Sequence, residues 1–201
     1  TPSTGSAETI EWSAHPSRKY TYLQAYSPTQ SVARFLNYYR QCAQDMYGYT
    51  ASSDQIGWST PVYISDTDEK ARAEAKPHIE ILFNKLLRLP FEMLFPPGYL
   101  SPKSLANMRS HKRSVSGQEH TIDTLIEQGI IVCGSPDTVR KQFINTHRLL
   151  GFQNLLCLMQ FGTLPRDLTE RNIRLFASEV LPTLQGLTDK EYVGMEMRAA
   201  E

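Results

Sequence analysis

The chain has 201 residues, of which 40% are hydrophobic and 21% are charged, as is typical of a folded globular domain. Its 21 basic and 21 acidic side chains balance, so the net charge gives no support for binding to nucleic acid or to an acidic membrane. No apolar run approaches the ~20 residues of a membrane span and no secretory signal opens the sequence, so we expect a cytoplasmic protein.

The cysteines and histidines give no sign of a metal site or a disulfide framework. Cys42, Cys133 and Cys157 share no short spacing and cannot all pair, which favours a reducing compartment. The five histidines lack the spacing of a zinc site. We therefore expect no bound metal.

The first half of the chain alternates between helical and strand patterns. The predicted elements are a helix over 7–15, a strand over 19–24, a helix over 30–47, a strand over 61–65 and a helix running to residue 87. Asp66 or Thr67 should cap the long helix, and Pro77 should kink it. This alternation is typical of parallel βα units.

The second half begins with an irregular stretch over 90–119. It contains a possible short helix over 104–108 and a basic run over 109–114, either a solvated loop or a phosphate clamp. After it the pattern predicts a helix over 121–128, a doubtful strand over 130–133 and a helix over 136–150. A fully buried apolar strand over 154–160 and a helix over 169–184 complete the alternation. The last helix should bury five residues, namely Ile173, Phe176, Ala177, Val180 and Leu181.

Two hexapeptides share one pattern, residues 5–10 (GSAETI) and residues 134–139 (GSPDTV). In each, the serine can cap a helix and the acid lies in the first turn, where the helix dipole favours it. A preceding glycine allows close approach of a ligand, and the free N–H groups of the first turn can bind an anion. Each hexapeptide is therefore either an ordinary helix start or a phosphate site.

Four stretches resemble the luciferase-like flavin monooxygenases, the bacterial luciferase family. They are residues 5–14 (GSAETIEWSA), 62–71 (VYISDTDEKA), 134–139 (GSPDTV) and 175–182 (LFASEVLP). Their order and spacing are similar to the second half of that family's barrel across nearly the whole chain. Strands one to five of the barrel have no counterpart here.

The resemblance implies an α/β fold, namely a partial (β/α)8 TIM barrel of strands 6–8 with their helices plus the helix after strand 5. Residues 1–186 would form this half-barrel, and residues 187–201 a loosely held tail. A lid-type insertion over about 90–120, with 96–119 as its mobile part, would close over the site and exclude water.

The resemblance also implies a flavin-dependent monooxygenase that uses reduced FMN, supplied by a separate flavin reductase, to insert one oxygen atom from O2 into a small organic substrate. Ser6 and Thr9, with the nearby backbone of Gly5 and Ala7, would hold the FMN phosphate. In the family, the segment that corresponds to residues 134–139 is only a helix start, so we interpret that hexapeptide as structural. No catalytic residue can be assigned within this chain.

Four further side chains are assigned from their positions in a barrel. Gln24 and Gln160 are the last residues of predicted strands, at the catalytic face of a barrel, where either could contact the flavin or the substrate; the alternative is that each caps a loop. Trp12 and Tyr22 are expected in the core.

Two alternatives stay open. One is a deazaflavin (F420)-dependent oxidoreductase of the same superfamily, and the other is a non-catalytic half-barrel that serves as a flavin-binding or partner subunit. Three or four strands cannot close a barrel, so the sheet should have open edges and an uncovered apolar face. We therefore expect that these 201 residues are not a self-sufficient monomer but form a homo-oligomer or pair with a complementing N-terminal half.

Overall fold

The computed structural model describes residues 6–18, 21–88 and 119–188, together with positions 93, 98, 102, 192 and 193. Within these residues the strands are β1 (Tyr22–Ala25), β2 (Ile56–Ile64), β3 (Val132–Gly134) and β4 (Asn154–Leu158). The α-helices are α1 (Ala7–Ser13), α2 (Thr29–Tyr47), α3 (Asp68–Ile81), α4 (Ile122–Glu127), α5 (Pro136–Leu150), α6 (Arg166–Leu175) and α7 (Leu181–Gln185). Ser53–Gln55 forms a 3-10 turn, and Leu82–Leu86 and Phe176–Val180 are π-helical.

The described strands form one parallel sheet centred on β2. Strand β1 pairs with residues 56–59 of β2, and β4 pairs with residues 57–61. Because these two stretches overlap, β1 and β4 must lie on opposite edges of β2. Strand β3 pairs with residues 62–64, beyond the end of β1. The expected parallel α/β architecture is therefore confirmed, and the doubtful fourth strand is present.

Helices α2 and α5 cover one face of this sheet. Tyr22 of β1 stacks on Tyr39 of α2 with ring centroids 5.0 Å apart, and Trp58 of β2 meets Phe143 of α5 at 6.0 Å. All four rings are fully buried. Burying so much aromatic surface against amphipathic helices is the main contribution that fixes this layer.

A second cluster of buried side chains lies between α3, α4 and the carboxyl ends of β2 and β3. Tyr63 of β2 and Ala75 of α3 are fully buried there, and the Tyr63 ring lies 6.3 Å from that of Phe161. Both faces of the sheet are therefore covered near the carboxyl end of β2.

In the described part of the chain, no helix covers the other half of the second face. Paired residues of parallel strands project to the same face, so Ser59 shares its face with Ala25 and Leu156. Leu156 is 50% exposed, and the rest of β4 is only partly buried. The prediction of a fully buried strand here is wrong because, among the described elements, helices cover only one side of β4 along most of its length.

Threonines cap helices α3 and α4, Thr67 as predicted and Thr121 in addition. In each case the side-chain oxygen accepts a hydrogen bond from a backbone N–H in the first turn. Helix α3 continues through Pro77 and passes directly into the π-helix at Leu82. Gly48 and Gly151 end α2 and α5 in left-handed conformations, as their positions predict.

Two boundaries differ from the sequence-based expectation. Strand β1 spans Tyr22–Ala25, whereas the prediction was 19–24. Strand β2 begins at Ile56, five residues before the predicted start at Pro61. Gly57 and Pro61 disfavour a strand locally, but pairing on both edges of β2 overrides that preference.

The buried face of the last helical segment was predicted correctly only in part. Val180 is fully buried as predicted, and Phe176 and Leu181 are partly buried. Ile173 is 47% exposed and Ala177 is exposed, whereas Asn172, which was not predicted in the core, is fully buried. The π-helical turn after Leu175 adds residues to one turn, so an apolar repeat counted at 3.6 residues loses its phase.

Most of the predicted insertion lies outside the described residues. This applies to the possible helix over 104–108, to the basic run over 109–114 and to nearly all of the proposed lid over 96–119. Within the described part of the chain, no helix is long and apolar enough to cross a membrane.

Candidate functional site

Ser6 and Thr9 lie together at the start of α1. The Ser6 hydroxyl oxygen accepts hydrogen bonds from the Thr9 backbone N–H at 3.4 Å and from the Thr9 hydroxyl at 3.2 Å. The Ser6 hydroxyl in turn donates to the Glu8 carboxylate at 3.1 Å. The capping interaction that the sequence predicts for Ser6 is therefore present.

The chemistry of this helix start suits a phosphate group. Two hydroxyls and the first-turn backbone at Ala7 are partly exposed and lie at the positive end of a helix. Glu8 opposes an anion at this position, but its side chain is exposed and can turn into solvent. Gly5, which the sequence assigns to the same site, lies outside the described residues.

The second hexapeptide has the same serine cap, but a carboxylate of the protein is bound at its helix start. Ser135 accepts from the Thr138 backbone N–H at 3.4 Å. The Asp68 carboxylate accepts from the Ser135 N–H at 2.6 Å and from the Thr138 hydroxyl at 2.9 Å. A Cβ at Gly134 would lie 2.7 Å from the same carboxylate, which explains the glycine.

The position that an anion would take at the start of α5 is thus filled by Asp68 itself. The Ser135 N–H lowers the pKa of Asp68 most, and the Thr138 hydroxyl adds to the effect against the opposing influence of burial. A carboxylate held in this way is ionised at neutral pH. The geometry agrees with the structural interpretation of residues 134–139.

Gln24 lies within β1 on the face that α2 covers. It is fully buried, and its amide nitrogen donates to the Tyr22 hydroxyl at 2.5 Å. Among the described residues, its amide oxygen has no hydrogen-bond partner. Contact of Gln24 with a flavin or a substrate stays a prediction.

Gln160 occupies a different environment from Gln24. It follows β4 by two residues and is exposed. It therefore lies at the surface beyond the carboxyl end of a parallel strand, where ligands of α/β proteins commonly bind.

One of the two aromatic side chains expected in the core is not there. Tyr22 is fully buried, as predicted, but Trp12 is 47% exposed. Helix α1 buries Ile10 and Ser13, which leaves Trp12 on its outer side, where the Arg18 guanidinium lies 3.9 Å from the ring centroid. The prediction for Trp12 is therefore wrong.

Sequence reasoning missed a charged cluster beside the carboxyl end of β2. The Tyr63 hydroxyl donates to Glu74 of α3 at 3.0 Å, and Arg171 of α6 forms an ion pair with Glu74 and donates to the Tyr63 oxygen at 3.1 Å. Burial opposes ionisation of Glu74, but hydrogen bonds from Arg171, Ser65 and Tyr63 outweigh it and lower the pKa. Burial and the neighbouring Glu74 raise the pKa of Tyr63.

This cluster joins three elements that are distant in sequence. The ion pair between Glu74 and Arg171, with the Tyr63 hydroxyl bonded to both, suits a clamp between β2, α3 and α6. The sequence contains no signal for it because an acid and a base about 100 positions apart show no spacing pattern.

A separate cleft of about 600 Å³ lies between α2, α4 and α5. It is lined by the start of α2 and by residues 126–129, with Trp58 and Gln142 among the other lining side chains. None of the predicted site residues lines it. In the described part of the chain, no group of His, Cys, Asp or Glu side chains could hold a metal ion.

The chain matches no protein-family model and no curated protein sequence. It is, however, similar in structure to several solved enzymes. One is a type II Baeyer–Villiger monooxygenase, the oxygenating constituent of 3,6-diketocamphane monooxygenase from the CAM plasmid of Pseudomonas putida, in complex with FMN. The similarity has a TM-score of 0.61 at 18% identity, over 90% of this chain and 47% of that one.

Two further similarities are of the same kind. EDTA monooxygenase from Chelativorans sp. BNC1 matches with a TM-score of 0.56 at 19% identity, over 90% of this chain and 43% of that chain. The coenzyme F420-dependent tetrahydromethanopterin reductase from Methanopyrus kandleri matches with a TM-score of 0.53 at 14% identity, over 90% of this chain and 49% of that chain.

These identities establish likeness of fold, and the chain spans about half the length of the solved structures it matches. The resemblance that four sequence stretches indicated is confirmed at that level. The described residues have the parallel α/β fold of luciferase-like monooxygenases.

Proposed function

We propose that this chain is part of an FMN-dependent monooxygenase that acts on a small organic substrate. The observation that carries the proposal is the fold similarity, over 90% of the chain, to an oxygenating monooxygenase component in complex with FMN. The four sequence stretches that resemble the family, including the hydroxyl pair of Ser6 and Thr9, support the same proposal.

In this proposal β1, β2 and β4 are the sixth, seventh and eighth strands of a TIM barrel, and α1 is the helix after the fifth. The support is that β1 and β4 pair in parallel with opposite edges of β2, which is the neighbour order of consecutive barrel strands. Strand β3 would be an additional pairing at the carboxyl end of β2.

The hydroxyls of Ser6 and Thr9 would hold the FMN phosphate, with the backbone of Gly5 and Ala7 beside them. Bound flavin would supply the oxygen chemistry. Gln160, at the surface beyond β4, could contact the flavin ring or substrate, and Gln24 could do so only if its buried amide became accessible. The protein would contribute orientation and exclusion of water.

A second candidate is an F420-dependent oxidoreductase that transfers hydride. The observation that favours it is the fold similarity to an F420-dependent reductase. Titration of the protein with FMN and with F420, followed by absorption spectroscopy, distinguishes the two cofactors. Selective binding of F420 would replace the monooxygenase proposal.

The partners follow from the same proposal. A separate flavin reductase would supply reduced FMN. The first half of the barrel would come from further residues of the protein, from a complementing N-terminal half, or from a second copy of this chain. A half-barrel that binds flavin without catalysis would show FMN binding but no oxygenation in the presence of the reductase.

The phosphate site is tested by replacing Ser6 and Thr9 with alanine. Hydrogen bonds to a charged group are each worth ~1.5–3 kcal/mol, so the double variant should bind FMN at least about tenfold more weakly. Riboflavin lacks the phosphate, so its affinity should be unchanged. Fluorescence titration measures both affinities.

The matched control replaces Ser135 and Thr138 with alanine. These residues form the same cap, but Asp68 occupies their anion position. This variant should be less stable yet keep its FMN affinity. An unchanged FMN affinity in the Ser6 and Thr9 double variant, or an equal loss for riboflavin, would reject the phosphate assignment.

A further inference from the structure

Tyr26, directly after β1, has an unusual backbone conformation. Its φ is 51°, and among the described residues it is the one residue other than glycine with a positive φ. Large L-residues avoid this left-handed region, where glycine or asparagine is usual. Such conformations occur most often where function needs the particular side chain.

The Tyr26 ring contacts a second unusual segment. Its centroid lies 6.2 Å from that of Phe83, with the planes at 71°, and Phe83 lies in the π-helix Leu82–Leu86. Single π-helical turns within α-helices are frequent at functional sites. The ring contact therefore joins two irregular backbone segments, the left-handed residue Tyr26 and the π-helix that carries Phe83.

A histidine completes this group of rings. The His120 ring lies 5.6 Å from Phe83, and Asn84 holds His120 by hydrogen bonds to both its backbone N–H, at 2.9 Å, and its carbonyl oxygen, at 2.8 Å. Asn84 is the next residue of the same π-helix as Phe83. The π-helix thus carries Phe83 and holds the backbone of His120 beside it.

The group is open to solvent and carries unused polar atoms. Tyr26 is 43% exposed, and Phe83 and His120 are partly exposed. Within the described part of the chain, neither the Tyr26 hydroxyl nor the His120 ring nitrogens have a hydrogen-bond partner. The group also lies just beyond the carboxyl end of β1, the side of a parallel sheet where ligands bind.

We propose that Tyr26, Phe83 and His120 form one wall of the substrate site and that this wall binds a planar aromatic substrate bearing a hydroxyl or carbonyl group. The rings offer edge and face contacts to a flat apolar ligand. The phenol and the imidazole offer a donor and an acceptor for its polar substituent. The wall deepens the proposed monooxygenase function by naming the substrate class, and it rests on that function.

The test uses 2-naphthol as the probe, with binding to the purified protein followed by the fluorescence of the probe. Phe83→Leu and Tyr26→Asn should each weaken 2-naphthol binding at least fivefold and leave FMN affinity within twofold of the unaltered protein. Because asparagine tolerates the left-handed region, Tyr26→Asn should also keep or raise the melting temperature. The control, Tyr47→Leu, alters another ring–histidine pair, whose centroids are 5.0 Å apart, and should leave probe affinity unchanged.

Each other outcome has a definite meaning. If the protein does not bind 2-naphthol, or if Tyr26→Asn lowers the melting temperature and leaves probe affinity unchanged, the rings are a packing contact and the proposal is overturned. If the probe depends on Tyr26 and Phe83 but FMN does not bind, the aromatic wall stands and the proposed flavin function fails. If FMN binds and the probe does not, the flavin function stands without this wall.

Discussion

A single buried amide joins two strands and a helix. Asn172 of α6 accepts a hydrogen bond from the Ile64 N–H at 2.9 Å and donates to the carbonyl oxygens of Val62 at 2.7 Å and Met159 at 3.0 Å. The residue is fully buried. It therefore satisfies three backbone groups near the carboxyl ends of β2 and β4 that would otherwise be buried without partners.

We predict that Asn172→Leu lowers the free energy of unfolding by about 2–4 kcal/mol, because each buried backbone group left without a partner costs ~1–3 kcal/mol. Urea denaturation measures this loss. The control is Asn145→Leu on α5, where the side chain is exposed and the expected change is within about 0.5 kcal/mol. Equal effects of the two substitutions would contradict the bridging role.

Elements α3 and α5 are linked through a carboxylate at a helix start. Asp68, in the first turn of α3, accepts hydrogen bonds from Ser135 and Thr138 at the start of α5. Its pKa in the folded protein lies below the ordinary value of 3.8. The folded state therefore favours the ionised form, and the resulting stabilisation is fully present above that ordinary value.

We predict that Asp68→Asn lowers the free energy of unfolding by about 1–2 kcal/mol at pH 7, after allowing for partial exposure of the carboxylate. The difference from the unaltered protein should shrink as the pH falls below about 4, because the carboxylate then becomes protonated. Thermal unfolding between pH 7 and pH 3 measures this.

The control for Asp68 is Asp66→Asn, which removes an exposed ion pair with Lys70. Its effect at pH 7 should be smaller than that of Asp68→Asn. A difference between Asp68→Asn and the unaltered protein that stays constant across the pH range would contradict the linkage.

The uncovered sheet face is the feature of the whole molecule that most affects its behaviour. Leu156 is 50% exposed on a face it shares with Ala25, and none of the described helices lies over that side of β4. An exposed apolar surface on a sheet with open edges promotes association. The proposed barrel would bury this face.

We predict that these 201 residues associate in solution and that Leu156→Lys shifts them toward the monomer without lowering the melting temperature. Light scattering across a concentration series measures the association. Ile173→Lys, which alters a residue 47% exposed on α6, is the matched control and should not change it. A stable monomer of the unaltered chain with cooperative melting would contradict the prediction.

Several elements could be predicted from the sequence because their signals are local. Thr67 and Ser135 cap their helices, and Gly48 and Gly151 end theirs, because these effects act within one turn of the chain. The hydroxyl pair of Ser6 and Thr9 could be identified for the same reason. The alternation of patterns was also sufficient to predict a parallel α/β sheet.

Which surfaces are covered, and which distant groups come into contact, could not be predicted from local patterns. The half-exposed β4, the exposed Trp12 and the buried Asn172 depend on which helix packs on which face, and no local pattern encodes that choice. Asp68 binds the start of α5 although it lies 67 positions away from Ser135 in sequence. This contact distinguishes residues 134–139 from residues 5–10, whose sequences are very similar. Contacts across such distances follow from the packing of the whole chain, because their energies arise only when the separate elements are brought together.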